Sequence, residues 1–398
     1  VVTNRTYEFY KNLFKDQSMP LAYVDMDLLD KNIEDLLKRA GNKKIRIASK
    51  SIRCRYILEY ILQSHAQFDG IMCYTAGEAA WLASEGFDNL LIGYPCANIH
   101  DLQLLVNQVA KGKKIIAMVD HVEQANMLNN LAQAANVKVP ICLDIDMSTD
   151  FPRMHFGVFR SPLHTLDDVK KIVSQLKTLS HISIHGIMGY EAQVAGLGDN
   201  IEGARVKNRI VKRLKKRSNK DYKKRRGEIV SWLSGEGYQL ELVNAGGTGS
   251  LELSCEEPWV TEVTIGSGFY SPGLFDHYEN FKHLPAVGFV LQIVRLPKNE
   301  YFTCLGGGYI ASGETGIIKQ PYPYLPAGVN PIKNEGFGEV QTPFKYQGNI
   351  PLKIGDPVFF RHAKAGELCE HFNYISVVKN NTIAQQISTY RGDGKSFL

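Results

Sequence analysis

KIIAMVDHVEQANMLNNLAQAANVKVPICLDID (residues 114–146) holds the pattern from which the fold follows. Two short apolar runs, KIIAMVD (114–120) and ICLDID (141–146), flank a stretch at 122–136 that has helical spacing. Near-continuous apolar strands joined through a helix pair in parallel and are buried on both faces. The same unit recurs in both directions. Upstream lie IRIAS (45–49), GIMCYT (70–75) and LLIGY (90–94); downstream lie ISIHGIMGY (182–190), QLELVNA (239–245) and EVTIG (262–266). Helix-forming stretches cover 55–65, 77–86, 98–111 and 163–179. Eight such strands predict an α/β fold of the (β/α)8 type. A dinucleotide-binding sheet is disfavoured, because no G-x-G-x-x-G follows the first strand.

The barrel is expected over 20–275. Beyond it, AVGFVLQIVR (286–295), YFTCL (301–305), DPVFFRH (356–362) and NYISVV (373–378) alternate like strands with no helix between them. Residues 276–398 therefore read as a β-rich C-terminal domain, with 1–19 a candidate addition to it.

Of the 398 residues, 44% are apolar and 22% charged, which argues against a disordered or fibrous chain. No apolar run is long enough for a membrane span, and the opening VVTNRTYEFYKNLF has no signal-peptide order, so a cytoplasmic location is expected. The seven cysteines form no C-x-x-C pair, so a disulfide framework is not expected. The net charge of +5 hides an asymmetry: thirteen Lys/Arg and one Asp between Arg205 and Arg226 make that run +12, leaving −7 elsewhere. Val206, Ile210, Val211 and Leu214 form a helical stripe in this run. It is therefore expected to clad the barrel, with no nucleic-acid partner and no membrane partner.

Reactive groups of such a barrel gather at the C-terminal ends of its strands. Those ends carry Lys50, Tyr74, Tyr94, Asp120 with His121, Asp146, Tyr190, and glycine turns at 246–249 and 266–268. Turns after the last two strands are a frequent phosphate site, since glycines let backbone N–H groups approach an anion. A lysine leaving a strand into the mouth is partly desolvated, which favours an imine-forming amine. Lysine and phosphate cradle together suggest pyridoxal phosphate.

PLAYVDMDLLDKNIEDL (20–36), IRIASKSIRC (45–54), YTAGEAAWLASEGFDNLLIGYP (74–95), LDIDMSTDFPRMHFGV (143–158), GIMGYEAQVAG (186–196), VNAGGTGS (243–250) and TEVTIGSGFY (261–270) follow one another in register. In this order they resemble the fold-type III pyridoxal phosphate enzymes. The nearest resemblance is to the D-threonine aldolase and D-serine dehydratase branch, related to the alanine racemase N-terminal domain. It covers about 20–275, with a fainter echo near 357–378. By resemblance, Lys50 is the lysine that joins the cofactor. Gly247, Thr248, Gly249, Gly266, Ser267 and Gly268 are the phosphate turns. Arg153 stands beside the phenolic oxygen, and Tyr190 is the active-site tyrosine. The alternative for Arg153 is a salt bridge to Asp146 or Asp150. The resemblance further implies a small amino-acid substrate and a homodimer.

Two positions depart from the family. Thr264 stands where related enzymes aim Arg or Glu at the pyridine nitrogen, so the ring would be a weaker electron sink. FFRHAKAGE (359–367) puts Lys364 where the branch carries the second ligand of a divalent metal, leaving His362 as a lone metal ligand candidate. An ammonium repels a dication, so Lys364 is expected to supply the positive charge instead; Cys369 and His371 are the only replacement ligands nearby. His181 and His185 occupy opposite ends of one strand face and do not form a metal pair. The expected activity is therefore a lyase on a β-hydroxy D-amino acid, with Lys50 as base at Cα and Tyr190 or His362 acting at the β-carbon. Alternatives are an amino-acid racemase, a non-catalytic pyridoxal phosphate carrier, and a phosphate-binding barrel enzyme without pyridoxal.

Overall fold

The computed structural model describes residues 5–313 and 316–398. In chain order its strands are β1 (Leu21–Asp25), β2 (Lys44–Ala48), β3 (Phe68–Cys73), β4 (Leu90–Ile92), β5 (Ile115–Val119), β6 (Val139–Asp144), β7 (Thr149–Phe151), β8 (Met154–Phe156) and β9 (Ile182–Gly189). They continue with β10 (Leu242–Ala245), β11 (Glu262–Ile265), β12 (Val287–Lys298), β13 (Tyr301–Leu305), β14 (Tyr322–Leu325), β15 (Val329–Pro331), β16 (Gln341–Tyr346), β17 (Pro357–Arg361), β18 (Tyr374–Lys379) and β19 (Thr382–Ser388). Eight of them close a parallel barrel in the order β2-β3-β4-β5-β6-β9-β10-β11 and back to β2. These coincide with the eight strands read from the sequence.

The helices between strands carry local start signals. Val122–Ala134 begins at His121, which closes a capping box with Gln124, so this histidine serves the helix end. Met26–Ala40 begins at Asp25, whose carboxylate accepts from Asp27 and Leu28 N–H and from Tyr10 Oη at 2.9 Å.

The second sheet is built from both ends of the chain. β1 lies inside the stretch expected for the barrel, yet it pairs antiparallel with β12 and parallel with β18. All five of its residues are buried, and such a run looks the same in either sheet. The chain thus enters the barrel only at the Met26–Ala40 helix. The helix Tyr7–Leu13 packs beside β1: Tyr7 Oη donates to Pro357 O at 3.1 Å, and the Tyr10 ring lies 5.5 Å from Phe359. β14 falls in the Pro-rich segment that does not read as a strand, and its register with β17 shifts between Pro323 and Leu325.

The basic run lies within a 31-residue helix, Arg205–Gly235. Its buried face differs from the expected stripe. Val206 is 74% and Ile210 52% exposed, whereas Val211, Lys215, Ser218, Tyr222, Arg226, Ile229, Val230 and Leu233 are buried. The buried cations are paired: Lys215 with Asp199 at 3.0 Å, and Arg226 with Glu191 and Glu257.

Inside the barrel, Arg46 is 2% exposed and donates two hydrogen bonds to the Glu262 carboxylate, at 2.8 and 2.9 Å. Its Nη1 also reaches Asn89 O at 2.7 Å. Gly70 makes room for it, since a Cβ there would stand 2.6 Å from Arg46 Nη1. All seven cysteines are free. No helix of the described residues is long and apolar enough to cross a membrane.

Removing one partner of a buried, hydrogen-bonded ion pair leaves the other charge stranded, at a cost of about 3–5 kcal/mol. Arg46→Met is therefore expected to lower the unfolding free energy, measured by denaturant titration, by that amount, and Arg46→Met with Glu262→Leu to recover most of it. A single variant within about 1 kcal/mol of wild type would contradict this account.

Candidate active site

A cavity of about 450 Å³ opens at the C-terminal ends of the barrel strands, bounded on its outer side by segments of the C-terminal domain. Lys50 enters it from a short 3-10 turn, Ser49–Ser51, that directly follows β2. Its Nζ donates to Tyr94 Oη at 2.9 Å, and Tyr94 stands two residues past the end of β4. The Arg160 guanidinium lies 5.7 Å from the Tyr94 ring centre and 5.8 Å from that of Tyr190, which follows β9. Burial alone pushes the Tyr94 phenol up, but Lys50 and Arg160 outweigh it and the net shift is downward. Tyr190, without a bonded ammonium, is pushed up to about 12 by burial.

The two glycine turns form another wall. Gly246, Gly247, Thr248, Gly266 and Ser267 line the cavity, while Gly249 and Gly268 sit behind them. The turns are tied together: Gly268 N–H donates to Thr248 Oγ1 at 3.0 Å, and Ser267 Oγ lies 3.1 Å from Ser51 Oγ. Side chains would obstruct this wall. A Cβ at Gly266 would come within 2.6 Å of Ser51 Oγ, and one at Gly247 within 3.1 Å of the Tyr190 ring. Gly246, at φ +81, occupies backbone space that L residues rarely adopt. The turn is held from outside by Glu191, which accepts from Gly246 N–H and Ser254 Oγ and is itself paired with Arg226. Thr264 lines the floor, hydrogen-bonded to Asn244, whose amide also donates to Glu262. An amine and a close-packed glycine cradle facing one cavity fit pyridoxal phosphate.

The remaining predicted residues divide. Lys364 lines the cavity; His362 does not. The His362 ring is buried against Tyr270, both nitrogens lack a partner, and burial pulls its pKa down to about 3. Cys369 Sγ donates to Ile52 O, and His371 packs on Tyr309. Among the described residues no group of three or more His, Cys, Asp and Glu is disposed around a common point. His362 is turned away from the cavity and Lys364 is an ammonium, so these two residues do not make the two-ligand pair that the branch directs at a metal.

Arg153 is also displaced from its expected place. It occupies the turn of the β7–β8 hairpin, exposed and at φ +67, outside the cavity. The acids considered as its partners bond elsewhere, Asp150 to His155 and Asp146 to Ser148 and His164. Arg160, seven residues later, is the arginine that faces the cavity, because the hairpin turns the intervening chain outward. Lys319 is a further lining cation that the sequence reading missed. It belongs to a Gly- and Pro-rich segment with no periodicity to orient a side chain.

Residues 24–272 match the family model described as alanine racemase, N-terminal domain. No curated protein sequence matches the chain. Among solved structures, D-threonine aldolase from Filomicrobium marinum is similar with a TM-score of 0.79, at 15% identity over 96% of each chain. D-threo-3-hydroxyaspartate dehydratase from Delftia sp. HT23 is similar with a TM-score of 0.72, at 15% identity over 94% of this chain and 98% of that one. Alanine racemase from Clostridium difficile 630, in complex with cycloserine, has a TM-score of 0.63 at 16% identity over 94% and 99%.

Beneath Arg160, burial and the neighbouring Asp120 raise the Asp144 carboxyl from 3.8 to about 7. Folding thus favours its protonated form, so stability is full below pH 3.8 and falls as pH rises towards 7, by up to about 1.4 kcal/mol per pH unit. Asn does not ionise. Asp144→Asn is expected to gain in melting temperature relative to wild type between pH 4 and 7 and to gain no more above it; a constant difference across that range would contradict the assignment.

Proposed function

The chain belongs to the alanine racemase N-terminal domain family, whose members bind pyridoxal phosphate, and from this premise we propose that it is a pyridoxal-phosphate-dependent lyase acting on a β-hydroxy D-amino acid. The observation that carries the proposal is the placement of Lys50 and the two glycine turns around one cavity. The aldolase and dehydratase among the similar folds support the lyase reading over racemisation.

When bound, the cofactor supplies an electron sink conjugated to the substrate's Cα. The protein's own groups do the rest. Lys50 Nζ would furnish the amine for the cofactor and a base for proton removal at Cα. Tyr94 Oη, 2.9 Å from that nitrogen, can take or return a proton there, and its lowered pKa suits the role. Gly247, Thr248, Gly266 and Ser267 would hold the phosphate. Arg160 offers the substrate carboxylate a guanidinium anchored over two aromatic rings. Thr264 presents a hydroxyl already engaged with Asn244, so no cation or carboxylate stands at the position that the family directs toward the pyridine nitrogen. Tyr190 remains the group for proton transfer at the β-oxygen, since His362 does not reach the cavity.

Incubation with D-threonine, D-serine and D-alanine discriminates the readings. Glycine with an aldehyde, or a keto acid with ammonia, supports the lyase; an L-isomer from D-alanine would favour the racemase. Lys50→Ala is expected to abolish the absorbance of lysine-bound cofactor and to lower activity by at least about 1,000-fold. An unchanged spectrum would refute the role of Lys50.

A further inference from the structure

The charged side chains lining the cavity are Lys50, Arg160, Lys319 and Lys364; among the described residues no carboxylate lines it, and none of the four forms an ion pair. Two of these cations have work in the proposed reaction, Lys50 at the cofactor and Arg160 at the substrate carboxylate. Lys319 and Lys364 have none. They reach the mouth from separate segments of the C-terminal domain, the 3-10 turn Ile317–Lys319 and the turn after β17. Both donate to one carbonyl oxygen, that of Ser312, at 3.2 and 3.4 Å.

Two ammonium groups converging on a single neutral acceptor repel each other, and an ammonium carries three donors. Each has one protein acceptor among the described residues, so N–H groups on both remain for a ligand. Glu367 is turned to Ser312, accepting from its N–H at 2.9 Å and from its hydroxyl. Lys364 is half-buried, and burial with the adjacent Lys319 disfavours its charged form in the absence of an anion. Such a pair is a costly arrangement unless an anion completes it.

We infer that Lys319 and Lys364 form a subsite for a second anionic group on the substrate, so that the substrate is a D-amino acid whose side chain ends in a carboxylate. The inference rests on the cofactor-dependent reading above. Arg160 holds one carboxylate at the barrel wall, and the two ammonium groups hold the other at the mouth.

Succinate and propionate, which carry no amine and do not react, test this by titration calorimetry of the cofactor-loaded protein at low ionic strength. Succinate is expected to bind at least about 10-fold more tightly than propionate, as charge-assisted hydrogen bonds to a second carboxylate imply. Lys319→Gln and Lys364→Gln should each cut that ratio several-fold, Lys364→Arg should retain most of it, and added salt should shrink it. A ratio near one, or a ratio that neither glutamine variant changes, overturns the inference. The absorbance of the bound cofactor is read on the same samples. Its retention with a flat ratio removes only the subsite, whereas its absence throughout removes the cofactor reading, with the ratio still measurable on the protein itself.

Discussion

The barrel is organised around an ion pair that an apolar core would not need. Arg46 and Glu262 project inward from β2 and β11, the strands whose pairing closes the cylinder. Burying both charges costs several kcal/mol, and mutual attraction repays this only when every remaining donor is used. Here the guanidinium also satisfies Asn89 O, and the carboxylate also accepts from Asn244. The arrangement stores specificity more than stability: a one-residue slip of β2 against β11 would turn Arg46 outward and strand Glu262. The same chain of bonds runs from Glu262 through Asn244 to Thr264 on the cavity floor. Closure of the barrel and the polarity of the site floor are thus one constraint.

A second buried ion set ties the outer helix to the site. Arg226 meets Glu257, Glu191 and Gly189 O, and Glu191 in turn receives the N–H of Gly246. Glu191 follows Tyr190 directly in the chain, so one carboxylate steadies both the tyrosine and the first glycine turn. The most basic segment of the protein therefore does two jobs. Its exposed lysines keep the long helix solvated, and its buried arginine fixes the wall that the proposed phosphate would touch.

The strands of the barrel were legible because parallel strands buried on both faces leave short apolar runs that here alternate with helical stretches. The glycine turns and Lys50 were legible because they directly follow those runs. β1 was not assigned to its sheet, because five buried residues carry no mark of which partner covers them. Arg153 was misplaced for a related reason: sequence register cannot see that β7 and β8 fold back on themselves and deliver Arg160 in its stead. His362 sits in the segment that echoes the family, but β17 directs it into the packing around Tyr270. Lys319 had no signal at all, since segments rich in Gly and Pro lack a period from which to infer direction. What the sequence reading missed is the part of the site supplied by segments that do not directly follow a barrel strand.

The charges of the site form a gradient with depth. At the mouth and wall stand cations, while Asp120 and Asp144 are buried at the ends of β5 and β6. Were Asp144 fully ionised at neutral pH, its field would cancel much of that of Arg160. Burial holds its proton to about pH 7, so the cavity keeps its positive potential without placing a carboxylate against the ligand. That potential acts on the protein's own groups as well, lowering the Tyr94 phenol against the effect of its burial. It also draws anions into the mouth before any contact forms. Binding of an anion and activation of the phenol oppose each other: each negative charge that enters offsets the cations that lower Tyr94 and raises its affinity for a proton.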